Sequence, residues 1–337
     1  MTNTSLKDLA KELNLSVSTV SRALRDSHEI SPDTKEKVLI LAKKLNYQPN
    51  PYARSLRKQK SKTIAVVIPE IANNFFSLAI NGIESIAQEN DYHVLIYLTH
   101  EDYEKELSII NHLSSGRVDG VLVSISSATN DIRHLEELHR KDIPVVFFDR
   151  ISDNINTIKV TTDDYNSGYK ATNHLIDQGC KRIAFLSISS KLSIGVKRME
   201  GYKDALKDRG INVEEKLIVH TEGSPEESHN KIKQLLTDPN RPDGLFASVE
   251  KLAIASYHCC HELHLSIPKD VKIISFSNLE TASLLNPSLT TITQPAFEIG
   301  KEAARVLFKG LDKHKTFLLN KSIILDSQLI ERESTAK

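Results

Sequence analysis

A small all-α head joined to a larger α/β body with two parallel-sheet subdomains is the fold class that the sequence predicts. Three observations predict it. Three short helical patterns, each opened by a serine able to cap it, fill residues 5–45. From residue 63 onward, apolar runs of strand length alternate with amphipathic helix patterns. Charge divides along the same line. The 337-residue chain carries 44 Lys+Arg and 44 Asp+Glu, yet residues 1–62 hold 13 basic and 6 acidic side chains, so the head is +7 and the body −7. A basic head on an acidic body points to a polyanion partner for the head alone. At 39% hydrophobic, with 12 Gly and 11 Pro, the composition is that of an ordinary globular protein, which excludes collagen-like, disordered and disulfide-stapled classes. Cys180, Cys259 and Cys260 cannot all pair, and no apolar run reaches the roughly 20 residues that cross a bilayer. The start, MTNTSLKDLA, has no apolar leader. A cytoplasmic protein with no membrane partner is expected.

In the head, Ser5 followed three residues later by Asp8 reads as a capping box, opening a helix over Leu6, Leu9, Ala10 and Leu13. Asn14-Leu15 breaks it. Ser16 caps a second helix to about Arg25 with Val17, Val20, Ala23 and Leu24 inward. Ser31-Pro32 puts an oxygen at the N-cap and proline at N1 of a third, running to about Leu45, with Val38, Leu39, Leu41, Ala42 and Leu45 packing back. Three such helices with a tight first break form a helix-turn-helix unit, residues 1–48. The outer face of the second helix is rich in short hydroxyls, Ser16, Ser18, Thr19 and Ser21, with one long cation, Arg22. Hydroxyls approach phosphates closely and arginine reaches base edges, whereas a merely structural face would favour Glu, Lys and Gln.

Residues 6–24 resemble the headpiece signature of the LacI (lac repressor) family of bacterial transcription regulators, with Asn14 where that family usually has glycine; Asn tolerates φ > 0, so the turn is expected to survive. The resemblance implies that Val17, Ser18 and Arg22 face major-groove bases and that Ser16, Thr19 and Ser21 meet phosphates. Ser5, Tyr47, Asn50, Ala53 and Leu56 complete the implied DNA-contacting set. Residues 49–62 read as a hinge. Pro49 closes the third helix, Asn50-Pro51 opens a helix of about eight residues, and isolated helices this short are marginal in water. Leu56 on that basic segment is a candidate wedge for a minor-groove step. The resemblance implies paired hinges that order on DNA, Ala53 letting them approach.

The body, 63–337, shows repeated βαβ patterns with wholly apolar strands, which means parallel sheets covered on both faces. The pattern restarts near Asp163, giving two Rossmann-like subdomains, 63–161 with 291–319 and 162–290 with 320–337. Strands are predicted over 64–68, 94–98, 121–125, 145–148, 183–188, 217–220, 244–249 and 271–276. Helices are predicted near 75–90, 103–114, 131–141, 165–178, 197–209, 226–237, 250–264 and 296–310. Several stretches (64–76, Arg117–Gly120, Phe147–Arg150, Arg198 with Gly201-Tyr202, Leu289–Pro295) resemble later signatures of the same family, whose body is similar to periplasmic sugar-binding proteins.

A hinged body of this kind binds ligands at the strand C-termini. Phe75 and Phe76 follow a strand end, where an aromatic face stacks on a sugar ring or simply packs as helix core. Ser124, Asp149, Arg150, Arg198 and Gln294 stand at strand ends or helix starts, as candidate hydrogen-bonding groups or rim ion pairs. Where the family often has polyol-gripping Asn and Asp, this chain has Val249, followed by Glu250, and Ser277. With those hydrogen bonds missing and Arg150 and Arg198 kept, an acidic sugar derivative, or response to a protein partner, is expected in place of a neutral sugar.

His258-Cys259-Cys260-His261 invites a metal, but zinc-module spacings and HExxH are absent, so neither metal nor other cofactor is expected. No phosphate-binding glycine motif or nucleophile elbow occurs, and a catalytic role is not expected. A free solute-binding protein would lack the basic head. The reading is a homodimeric repressor of carbohydrate-utilisation genes on a pseudo-palindromic double-stranded operator, controlled by a small molecule in the cleft.

Overall fold

The computed structural model describes residues 5–47, 60–221, 223–312 and 321–337. It divides into two units, 1–61 and 62–337, each considered by itself. The expected hinge helix, with Asn50, Ala53 and Leu56, lies outside the described residues.

The head holds α1 (Leu6–Glu12), α2 (Val17–Ala23) and α3 (Pro32–Lys44). Each begins as the sequence dictates. Ser5 and Asp8 form the reciprocal capping box, Ser16 accepts from the Thr19 amide, and Ser31 caps α3 with proline in its first turn. Asn14 takes φ +51°, the left-handed turn expected of it. Leu9, Ala10, Val20, Ala23, Val38 and Ala42 form the core, with Tyr47 packed at its edge. Two inward assignments are corrected: Val17 is 42% and Leu39 55% exposed. Three short helices enclose a core too narrow to shelter every apolar position on a face.

The body contains two six-stranded sheets. In the first, β1 (Thr63–Ile68), β2 (His93–Leu98), β3 (Gly120–Val123), β4 (Val145–Phe148), β5 (Lys159–Thr162) and β11 (Ser322–Leu325) run parallel in the order β11-β5-β4-β3-β1-β2. Ile64, Val66 and Ile68 face α4 (Asn74–Glu89) and α11 (Ala296–Asp312). Ala65 and Val67 face α5 (Tyr103–Leu113) and α6 (Arg133–Arg140). The second sheet repeats the scheme with β6 (Ile183–Ser187), β7 (Ile218–His220), β8 (Gly244–Ala247), β9 (Lys272–Phe276), β10 (Thr290–Thr293) and β12 (Gln328–Ile330), in the order β12-β10-β9-β8-β6-β7. Only β12 is antiparallel. Phe185, Phe246 and Ile274 pack on α7 (Asp164–Asp177) and α8 (Ser193–Asp208). Leu186, Leu245 and Ile273 pack on α9 (Pro225–Thr237) and α10 (Glu250–Glu262). This is two doubly covered sheets, as the continuous apolar strands require.

The expected subdomain limits need correction near the C-terminal side. Residues 290–293 pair with β9 in the second sheet, and 322–325 pair with β5 in the first, the reverse of the assignment made from sequence. Among the described residues of the 291–319 stretch, α11 alone returns to the first sheet. The backbone therefore passes between the halves at 162–164, 293–296 and 325–328. Side chains tie these passages together: Gln294 Nε2 donates to Thr162 Oγ1 at 3.2 Å, and Asp163 Oδ1 accepts from Ser327 N at 2.8 Å.

Candidate functional site

Two places carry chemistry. On the head, the start of α2 presents Val17 and Ser18 to solvent, with Arg22 one turn on. The hydroxyls are pre-ordered by the helix cap. Ser16 Oγ accepts from the Thr19 amide at 3.1 Å and lies 2.8 Å from both Ser18 Oγ and Thr19 Oγ1. Arg22 Nη1 donates to Glu29 Oε2 at 2.8 Å, both side chains more than half exposed, and Arg25 Nη2 donates to Ser21 Oγ at 2.6 Å. An exposed face of ordered hydroxyls beside a reachable guanidinium suits phosphates and base edges. Tyr47 stands apart, partly buried on the core with its phenol pushed up by desolvation, and Ser5 is committed to Asp8.

Within the body, the strand C-termini of the two halves face one another. Phe75, Phe76, Asp149, Arg150, Arg198, Val249, Ser277 and Gln294 come together around one small inner cavity of about 30 Å³. Ser124 does not join them. It is buried behind the strand end, its hydroxyl accepting from the Arg150 amide at 3.4 Å, because its direction on β3's continuation turns it inward. The phenylalanines do both things expected of them: Asn73 caps α4 through the Phe75 amide at 2.9 Å, and the rings pack edge to face into the core while lining the cavity.

Both arginines are already paired. Arg150 Nη1 donates to Glu101 Oε1 at 2.7 Å, and its guanidinium lies over Phe76. Arg198, 1% exposed, donates to Asp164 Oδ1 at 2.7 Å and to Ser248 O at 2.6 Å, its guanidinium 3.6 Å above the Phe276 ring centre. Burial pushes Asp164 upward against the pull of Arg198. Burial likewise raises Asp149 to about 6, with Arg150 and Arg198 opposing and Asp164 adding to the rise. The two guanidiniums that favoured an acidic ligand thus each hold a carboxylate of this chain.

Glu250 links the two halves across the pocket. It opens α10, accepts from Ser277 Oγ at 2.9 Å in its own half, and accepts from Asn74 Nδ2 at 3.4 Å in the other. A second, larger cavity of about 520 Å³, named the outer cavity, is bordered by Glu101, Ser127 and Asn130 from one half and Lys191, Thr221 and Lys251 from the other. The sequence missed Glu101, Asp164 and Glu250 as site residues. The adjacent departure at Val249 was the only hint of the last, and the other two act through partners 49 and 34 positions away. The His258–His261 stretch forms no metal cluster: among the described residues no three metal-capable side chains converge. Cys259 and Cys260 are buried, with thiols pushed up to about 11 and about 12 by desolvation.

Known proteins share this arrangement. Residues 5–50 match the model of the bacterial regulatory proteins of the lacI family, and residues 172–335 match a periplasmic binding protein-like domain. The chain is 32% identical over 335 residues to catabolite control protein A of Priestia megaterium, covering 99% of each. It is 31% identical over 332 residues to the ribose operon repressor of Halalkalibacterium halodurans, covering 98% of this chain and 97% of that one. The lac repressor dimer bound to operator and an anti-inducer has the same fold over 100% of both chains, with a TM-score of 0.85 at 21% identity. With relatives matched end to end, a head of the matching type and a body of the matching fold, the chain belongs to the lacI family of bacterial regulatory proteins.

Proposed function

We propose that α2 reads operator half-sites through Val17, Ser18 and Arg22 while Ser16, Thr19 and Ser21 hold the flanking phosphates, and that a small polar molecule held between the halves of the body sets operator affinity. The chain is a DNA-binding transcription regulator of the lacI family, and it acts as a dimer in this reading, the form in which the lac repressor is bound to its operator. Its relationship to a ribose operon repressor supports carbohydrate-utilisation genes as targets and repression as the mode of control.

The observation that carries this reading is the exposed, pre-ordered hydroxyl face of α2 with Arg22 beside it. Two-fold protein symmetry maps onto two-fold DNA, so the site should be a pseudo-palindrome. Ligand control follows from the three backbone passages between the halves, because a molecule touching both sides favours one closure over another. A coupling of about 1–3 kcal/mol between ligand and operator is ordinary for such systems.

The test is selection of DNA sites by the full-length chain from a random pool. A two-fold consensus is expected, and Arg22→Ala should lower discrimination at one position of each half-site by roughly 10–100-fold, as loss of a bidentate base contact does. Selection of no consensus, or an equal fall on specific and random DNA, would reject the assigned roles.

A further inference from the structure

The inner pocket of the body has no room for a metabolite. A space of about 30 Å³ suits one water, whereas small-molecule sites span roughly 300–1,000 Å³. Its polar groups are engaged by the chain itself: Arg198 by Asp164 and Ser248, Arg150 by Glu101, and Ser277 by Glu250. The acids left over, Asp149 and Glu250, give it a surplus of negative charge. The outer cavity differs on each count. At about 520 Å³ it holds a mid-sized metabolite, and both halves of the body line it.

Its charge is opposite as well. Lys191 and Lys251 border it, and the one acid among its described lining residues, Glu101, is committed to Arg150 at 2.7 Å and to the Ser127 amide at 2.7 Å. Lys191 Nζ already donates to Asn130 Oδ1 at 3.1 Å, from one half to the other. The first turns of α9 and α10 border the same space through Pro225, Lys251 and Leu252; the start of α9 is capped by Ser224 and carries Glu226 and Glu227, whereas α10 has no side-chain cap on its first amides. An uncapped helix start favours negative charge, which adds to the lysines. Hydroxyls of Ser127, Thr221 and Ser228 complete a lining suited to a polyol.

We infer that the outer cavity is the ligand seat of this body and that it takes a phosphate monoester of a sugar or polyol, its anionic group served by Lys191 and Lys251. Glu250, which lines the inner pocket just before Lys251 of the outer cavity, keeps the anion out of the inner one. The inference rests on reading the space between the halves as the effector compartment.

Calorimetry on the full-length protein tests it with three probes: sorbitol 6-phosphate, sorbitol and inorganic phosphate. Sorbitol 6-phosphate should bind at least tenfold more tightly than either of the others. Lys191→Gln and Lys251→Gln should each weaken it at least tenfold, and Lys251→Arg should restore most of the loss, with melting temperatures unchanged. Equal affinity for the charged and neutral polyols, indifference to both lysine substitutions, or no binding of any probe would overturn the proposal. Retention of a selected DNA fragment is measured on the same samples without ligand. DNA bound normally while the calorimetry fails removes only this seat; DNA bound by no sample removes the regulator reading beneath it.

Discussion

Asp149 ends β4 in the left-handed region, at φ +59°, and points its carboxyl into a buried space between two arginines and a second acid. Desolvation dominates there, so its pKa rises from 3.8 to about 6. Between those values the folded protein holds a proton that the unfolded chain has released, so stability must fall as pH rises through that window. The fall attributable to this group is about 3 kcal/mol, fully present above pH 6. Asp149→Asn keeps a residue tolerant of positive φ and removes the titration. Urea unfolding from pH 4 to 6.5 should show a shallower decline for the variant than for the native chain; parallel curves would refute the assignment. Asp149, Arg150 and Arg198 were legible from sequence because strand ends and helix starts could be located. Their partners were not, since nothing local links Arg198 to Asp164 or Arg150 to Glu101.

Helix punctuation made the elements legible where capping chemistry is local. Ser5-Asp8, Ser16 and Ser31-Pro32 each fixed a helix start in the head, and Asn14 supplied the turn without glycine. In the body, β5, β10, β11 and β12 escaped notice because Lys159, Thr161, Thr162, Thr290, Thr291, Thr293, Ser322 and Gln328 break the continuous apolar run by which the other short strands are found. The α7–α8 pair shows a constraint of another kind. Gly168 and Gly201 face the opposing backbone so closely that a Cβ on Gly201 would overlap Tyr165 O, and one on Gly168 would overlap Arg198 O. This close crossing sets where Arg198 enters the pocket. Gly201→Ala should therefore destabilise the body by about 3 kcal/mol, at the upper end for overpacking, since backbone cannot yield as a side chain does. Chemical denaturation measures that cost, and a neutral result would mean that the helices separate freely.

For the whole molecule, the two-sheet plan followed from alternation of elements, while the allocation of the last strands depended on edges that only the folded chain defines. β5 needs an outer neighbour and takes β11; β10 takes β12. Two of the three passages meet at one buried carboxylate, Asp163, which accepts from Ser327 N at 2.8 Å and from Ser167 Oγ at 3.0 Å, while Gln294 ties the third to Thr162. Asp163→Ala would strand both donors and should cost about 3 kcal/mol, given roughly 1.5–3 kcal/mol for a hydrogen bond to a charged group. Thermal unfolding should show a lower transition for the body with the head's transition in place; one shared shift would indicate that the two units melt together. The outermost strand of each sheet has a further consequence during synthesis. Residues 322–330 leave the ribosome some 270 positions after the head, and one edge of each sheet, at β5 and at β10, stays unpaired until they arrive. A nascent chain thus carries a finished DNA reader well before it owns a working sensor, and no metabolite can govern it during that interval.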